Sequence, residues 1–159
     1  MMSLPQLIEE DIHQLEGVLE ELLNRTDATT ALIIDKAGFL ITSLGGAREF
    51  DLTTIAALAS GAFLANQTIA NLVHETNFNS VYQQGETHSM LVTCVDECSL
   101  LVVIFKAAVS VGAVKYFAGP AAEQIAEQIE LAYVRDPDAT IDLSMLNVAD
   151  TRDVFKKKI

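Results

Sequence analysis

Residues 51–73, DLTTIAALASGAFLANQTIANLV, carry a single charge, Asp51, and are apolar on too many sides for an ordinary surface helix. At 100° per residue, Leu52, Ile55, Leu58, Ala59, Ala62, Phe63, Ile69, Ala70 and Val73 fall on one broad face. That is the stripe a helix buries against a sheet. The opposite face should then be charged. It instead carries Thr54, Ala57, Ser60, Gly61, Leu64, Ala65, Thr68 and Leu72, without one Lys, Arg, Asp or Glu. Gly61 in mid-helix costs about 1 kcal/mol relative to Ala, a cost that close approach of another surface would offset. Such a helix has a second thing to bury.

The remaining chain can supply a core for the first burial. Half of its 159 residues are hydrophobic, enough for one domain that removes most of its apolar surface from water. The net charge is −12 and unevenly spread: residues 1–135 hold 17 acids and 6 bases, residues 136–159 hold 5 acids and 4 bases. An acidic body opposes phosphate-backbone binding, so no nucleic-acid partner is expected. The start lacks a basic segment followed by an apolar one, and no run of about 18 uncharged apolar residues is read, so membrane insertion is not expected. With Cys94 and Cys98 the only cysteines, a soluble cytoplasmic protein with reduced thiols is the expected state.

Along the chain, Leu4, Leu7, Ile8, Ile12, Leu15, Val18, Leu19, Leu22 and Leu23 recur at spacings of three and four, which predicts a helix over 4–23. Ser3 is its expected N-cap, Pro5 falls in its first turn, and Glu9, Glu10, Asp11, Glu16, Glu20 and Glu21 are its solvated face. Two β-rich runs, 31–34 and 39–42, flank the turn residues 35–38 and predict a hairpin. A loop with Gly45, Gly46, Arg48 and Glu49 leads to Asp51, the N-cap of the uncharged helix. Residues 74–87 read as a connection packed down by Phe78, Val81 and Tyr82. Strands are expected at 89–95 and 99–105, the second apolar throughout and therefore central. A fifth strand is expected at 111–117, and a last helix from Pro120, with Ala122, Ile125, Ala126, Ile129, Ala132 and Tyr133 on its apolar face. The expected fold is α+β: an α-β-β-α-β-β-β-α order with one five-stranded antiparallel sheet. Residues 1–135 form the domain, 136–149 a tether and 150–159 a short helical extension whose acids precede its lysines, as the helix dipole favours.

Catalytic chemistry is hard to find. There is no phosphate-binding G-x-x-x-x-G-K-[ST] loop and no strand–G-x-G-x-x-G–helix unit. His13, His74 and His88 stand far apart, and Cys94 and Cys98 straddle a turn and read as small hydrophobes, so neither a metal site nor a cofactor is expected. The carboxylates of the first helix lie on a solvated face rather than in a cleft. Of four arginines, Arg25, Arg48, Arg135 and Arg152, only Arg48 sits in a Gly-rich loop from which it could act as an arginine finger, and nothing selects it over a surface arginine. No catalytic residue is assigned, and an enzyme is not expected.

The element order, with Leu32-Ile-Ile-Asp-Lys-Ala-Gly-Phe-Leu-Ile41 ahead of an Asp51-capped Ala/Gly-rich helix, resembles the Roadblock family. Within it the chain looks like the bacterial MglB group, regulators of Ras-like polarity GTPases of the MglA type. The resemblance is carried by Asp35-Lys36-x-Gly38-x-Leu40-Ile41, Ser60-Gly61, the Asn77-Phe78 loop, Leu101-Val-Val-Ile-Phe105 and a Ser/Gly pair at 110–112. It implies a homodimer whose sheets and second helices pair across a two-fold axis. It also implies that the paired helices bind one small GTPase and accelerate its hydrolysis without an arginine finger, in cell polarity or gliding motility. Carried over, the GTPase-facing positions are Ala57, Gly61, Leu64 and Thr68, all on the second face of the helix. Thr54, Ala65 and Leu72 are the expected dimer seam. Some family members carry a C-terminal extension that makes a second GTPase contact and promotes nucleotide exchange; residues 150–159 occupy the corresponding location, with Arg152, Val154, Phe155 and Lys156 as its positions. The Lys156-Lys157-Lys158 run departs from an acidic tail, and a basic solubilising end is the competing reading. The competing function is a Roadblock scaffold dimer that binds a GTPase or complex without altering hydrolysis; a thiol-based sensor ranks behind both.

Overall fold

The computed structural model describes residues 3–46 and 48–135. Their elements are α1 (Glu9–Thr26), β1 (Thr30–Asp35), β2 (Leu40–Gly45), α2 (Leu52–Leu72), β3 (Ser80–Gln83), β4 (His88–Cys94), β5 (Ser99–Lys106) and α3 (Val111–Arg135). The strands form one open antiparallel sheet in the order β2-β1-β5-β4-β3.

β5 organises the layers because it is buried on both faces, as its apolar run predicts. Period-two alternation sends Leu101, Val103 and Phe105 to one side, where they meet Leu15, Leu19, Ile125 and Ile129 of α1 and α3. Leu100, Val102 and Ile104 go to the other side and meet Leu52, Ala56, Ala59 and Phe63 of α2. β1 divides in the same way, Ala31 and Ile33 against Leu32 and Ile34. Each fully buried Leu or Val contributes about 1.5–3 kcal/mol, so the central pair of strands anchors both helical layers. Among the described residues α2 is thereby the one helix on its face of the sheet.

The β1–β2 hairpin forms where expected. Asp35 accepts the Ala37 N–H at 2.5 Å through its carboxylate and the Gly38 N–H at 2.9 Å through its carbonyl. Gly38 takes φ +101°, and a Cβ there would sit 3.2 Å from the Ala57 Cα, so the turn lies close against α2.

Four expectations are corrected. α1 begins at Glu9 rather than residue 4: Ser3 does not cap it and Pro5 lies outside it, while the Ile8 N–H donates to Asp11 Oδ2 at 2.8 Å. Asp11 is fully buried instead of facing solvent. Residues 111–117 are helical. Ser110 starts α3, accepting the Val114 N–H on its carbonyl at 3.1 Å and the Ala113 N–H on Oγ at 3.4 Å. Val114, Ala118, Ala121, Ala122, Ile125 and Ile129 then bury one continuous stripe, which tolerates Pro120 inside the helix. The fifth strand is instead β3, inside the stretch that reads as a connection, too short for its alternation to register against the surrounding Asn and Gln. The element order survives because β3 takes the place of the strand expected at 111–117. Residues 136–149 and 150–159 lie outside the described residues.

Candidate partner-docking face

α2 opens with the expected cap. Asp51 Oδ1 accepts the Thr54 N–H at 3.1 Å and Oδ2 accepts the Thr54 hydroxyl at 2.6 Å. These hydrogen bonds, from hydroxyl and amide, hold the Asp51 carboxyl below its ordinary pKa, and its charge complements the helix N-terminus.

The buried arc of α2 is narrower than its hydrophobicity suggests. Leu52, Ala56, Ala59, Ser60, Phe63 and Ala70 face the sheet. Three are alanines, so the helix lies close and one large ring, Phe63, fills the interface; it sits 5.0 Å from Phe78 between centroids, with Lys36 Nζ 5.8 Å from its own. Ser60, expected outward, is buried and donates its hydroxyl to the Lys36 carbonyl, fastening the β1–β2 turn to mid-helix. Leu58, Ile69 and Val73, expected inward, are exposed at 68%, 55% and 68%. Periodicity alone does not choose between two apolar arcs; the one that packs on the sheet carries Phe63 and the Ser60 tie to the β1–β2 turn.

Two adjacent exposed lines result. Ala57, Gly61, Leu64 and Thr68, spaced four, three and four, are brought together on one of them. Leu64 is 41% exposed, and the Thr68 hydroxyl donates to the Leu64 carbonyl at 3.0 Å, so its polar group is already satisfied. Thr54, Ala65 and Leu72 lie on the other, beside Leu58 and Ile69, which hydrophobicity alone assigns to the core. A Cβ on Gly61 would meet nothing within 4 Å. The glycine is not required by packing within its own chain.

Beside the second line, Phe50, Ile55, Leu58, Ala62, Met90 and Ile104 line an open groove of about 350 Å³ between α2 and the sheet. The same side of the sheet ends at β3, which pairs only with β4 among the described residues. An edge strand and an exposed apolar helix line thus adjoin one groove, a combination that normally marks an interface. α2 is also long and apolar enough to cross a membrane by length and composition, contrary to the sequence expectation. Here it is instead packed along one side on the sheet.

Among the described residues, catalytic groups do not converge on this face. Arg25 pairs with Glu21 at 3.0 Å and Arg135 with Asp11 at 2.8 Å, both in the α1/α3 layer. Arg48 lies in the turn before α2. Among the described residues no group of His, Cys, Asp and Glu has metal-site geometry. No disulfide joins Cys94 and Cys98, and burial, with Asp96 and Asp35 nearby, pushes the Cys98 thiol pKa up, away from thiolate reactivity. Arg152, Val154, Phe155 and Lys156 lie outside the described residues.

The Roadblock/LC7 domain profile matches residues 14–105. The chain belongs to the Roadblock/LC7 family. Among solved structures, it is similar to an MglB with a tetrameric arrangement, at 31% identity and TM-score 0.76, over 83% of this chain and 99% of that one. The gliding protein MglB from Thermus thermophilus is similar at 31% identity and TM-score 0.74, over 82% and 98%. Myxococcus xanthus MglB follows at 28% identity and TM-score 0.73, over 80% and 96%. No curated protein sequence matches. These likenesses fit a Roadblock-family regulator rather than a catalyst.

Proposed function

We propose that this protein is a cytoplasmic, homodimeric regulator of a small Ras-like GTPase of the MglA type, and that it accelerates GTP hydrolysis in bacterial cell polarity or motility. The observation that carries the reading is the charge-free outer surface of α2, with Ala57, Gly61, Leu64 and Thr68 on one exposed line. The partner GTPase docks there. Thr54, Ala65 and Leu72, joined by Leu58 and Ile69, form the seam with a second copy, and β3 edges extend the sheet across it. With Arg25 and Arg135 engaged on the opposite layer, the protein acts by arranging the GTPase's own catalytic groups. Residues 136–149 are a tether, and residues 150–159 touch the GTPase a second time through Arg152, Val154, Phe155 and Lys156, promoting nucleotide exchange.

The test is single-turnover GTP hydrolysis by the cognate MglA-type GTPase, with and without saturating dimer. Acceleration is expected. Binding without acceleration would leave the scaffold reading and remove the activating one.

A further inference from the structure

A second apolar surface lies on the other side of the molecule. Tyr116, Leu131 and Val134, at 74%, 60% and 69% exposure, stand on the outer side of α3 in one line with Pro120, Glu123 and Glu127, at helical spacings of three and four. At its Tyr116 end this line opens into a groove of about 330 Å³ between α1 and α3, lined by Val18, Leu22, Phe117 and Ala121 and rimmed by Glu21 and Gln124. Arg25, the one cation in its wall, is tied to Glu21 and lies over the Phe117 ring. None of this surface is used by the docking face on α2, from which the sheet separates it.

We propose that residues 150–159 of this same chain dock on this surface, as an internal ligand of the α1/α3 layer. Three observations select that occupant. The first is charge. α1 holds six acids and one base, and α3 three acids and two bases, a net −6; residues 154–159, VFKKKI, carry three lysines among three apolar residues. A second copy of the acidic layer would oppose like charge with like charge. The second is origin. The chain continues from Arg135, the last residue of α3, which the bidentate pair with buried Asp11 fixes at the Val134 end of the line. The third is reach. From Arg135 to Tyr116 is 19 helical residues, about 29 Å at 1.5 Å each. The 14 residues 136–149 span at most about 48 Å when extended, so the final ten reach the groove without strain. Val154, Phe155 and Ile159 then cover the exposed line and groove while the lysines face Glu21, Glu123 and Glu127. Docking here and the second GTPase contact proposed above are alternative, competing positions of the same extension. Docking here does not depend on the GTPase reading above.

The experiment uses the full chain. Zero-length carbodiimide coupling, which joins lysine amines to carboxylates in contact, is applied to a mixture of light and isotopically heavy chains. The expected products are within-chain links from Lys156, Lys157 or Lys158 to Glu21, Glu123 or Glu127. Amide exchange is then compared between the wild type and two variants, Phe155→Asp and the triple Lys→Glu change at 156–158. Segments 18–25 and 116–124 should exchange at least about threefold faster in both variants, with α2 unchanged. Links between light and heavy chains would place a neighbour's extension there and overturn the proposal. So would an absence of these links, or equal exchange in wild type and variants.

Discussion

Arg135, the last residue of α3, holds Asp11 in the first turn of α1 through two hydrogen bonds, Nη1 to Oδ2 at 2.9 Å and Nη2 to Oδ1 at 2.8 Å. The same carboxylate accepts the Ile8 N–H at 2.8 Å and Gln128 Nε2 at 2.9 Å, and Asp11 is fully buried. Asp11→Ala strips four donors of their acceptor. It should lower unfolding free energy by about 2–4 kcal/mol, read by urea denaturation. A change within experimental error would show that water replaces the carboxylate freely.

The same pair sets a pH dependence. Hydrogen bonds from Arg135 hold the Asp11 carboxyl at about 2, below its ordinary 3.8. A carboxyl with a depressed folded pKa stabilises fully above its unfolded pKa, and the contribution is lost as pH falls through the folded value. The stability gap between wild type and Asp11→Asn should therefore be full above about pH 4 and close towards about pH 2. Burial raises the Asp35 carboxyl, an effect of opposite sign that is common to both proteins and cancels in the difference. A gap constant from pH 7 down to 2 would contradict the assignment.

Leu58 and Leu72 are exposed at 68% and 74%, so a charge at either should cost the single chain less than about 0.5 kcal/mol. As seam positions, Leu58→Glu or Leu72→Glu should convert a dimer to monomer in sedimentation. A variant that stays dimeric at micromolar concentration places the seam elsewhere.

Leu64→Arg and Thr68→Arg should leave both the fold and the dimer intact while abolishing GTPase binding, because each puts a long charged side chain in the middle of the proposed docking line. Retained affinity in a titration calorimetry experiment would move the interface off this line.

Gly61→Ala separates folding from docking. With nothing within 4 Å of the new methyl, it should stabilise the chain by about 0.5–1 kcal/mol through helix propensity. If the glycine exists for close approach of a partner, GTPase affinity should fall at the same time. Higher stability with unchanged affinity would leave Gly61 without a functional reason.

The elements most legible in the sequence are those with strong local signals. The β5 run reads as a central strand, the 35–38 turn as the close of a hairpin, and Asp51 as the cap of the helix after it, and each forms as read. Those features, with the motifs of a Roadblock chain, determined the fold class and the surplus apolar surface of α2. The sequence by itself could not say which apolar arc of α2 meets its own sheet, because hydrophobicity is the same for every burying partner. Tertiary packing decided it: Phe63 seats against Phe78 and the Ser60 hydroxyl reaches the Lys36 carbonyl, contacts that only the arc through Ala56 and Ala59 can make. It likewise turned 111–117 from a local β pattern into the start of α3, where one continuous buried stripe outweighs Pro120. Asp11 reads as one more acid on a wet face until α3 brings Arg135 to it from 124 residues away, a contact that no local pattern encodes.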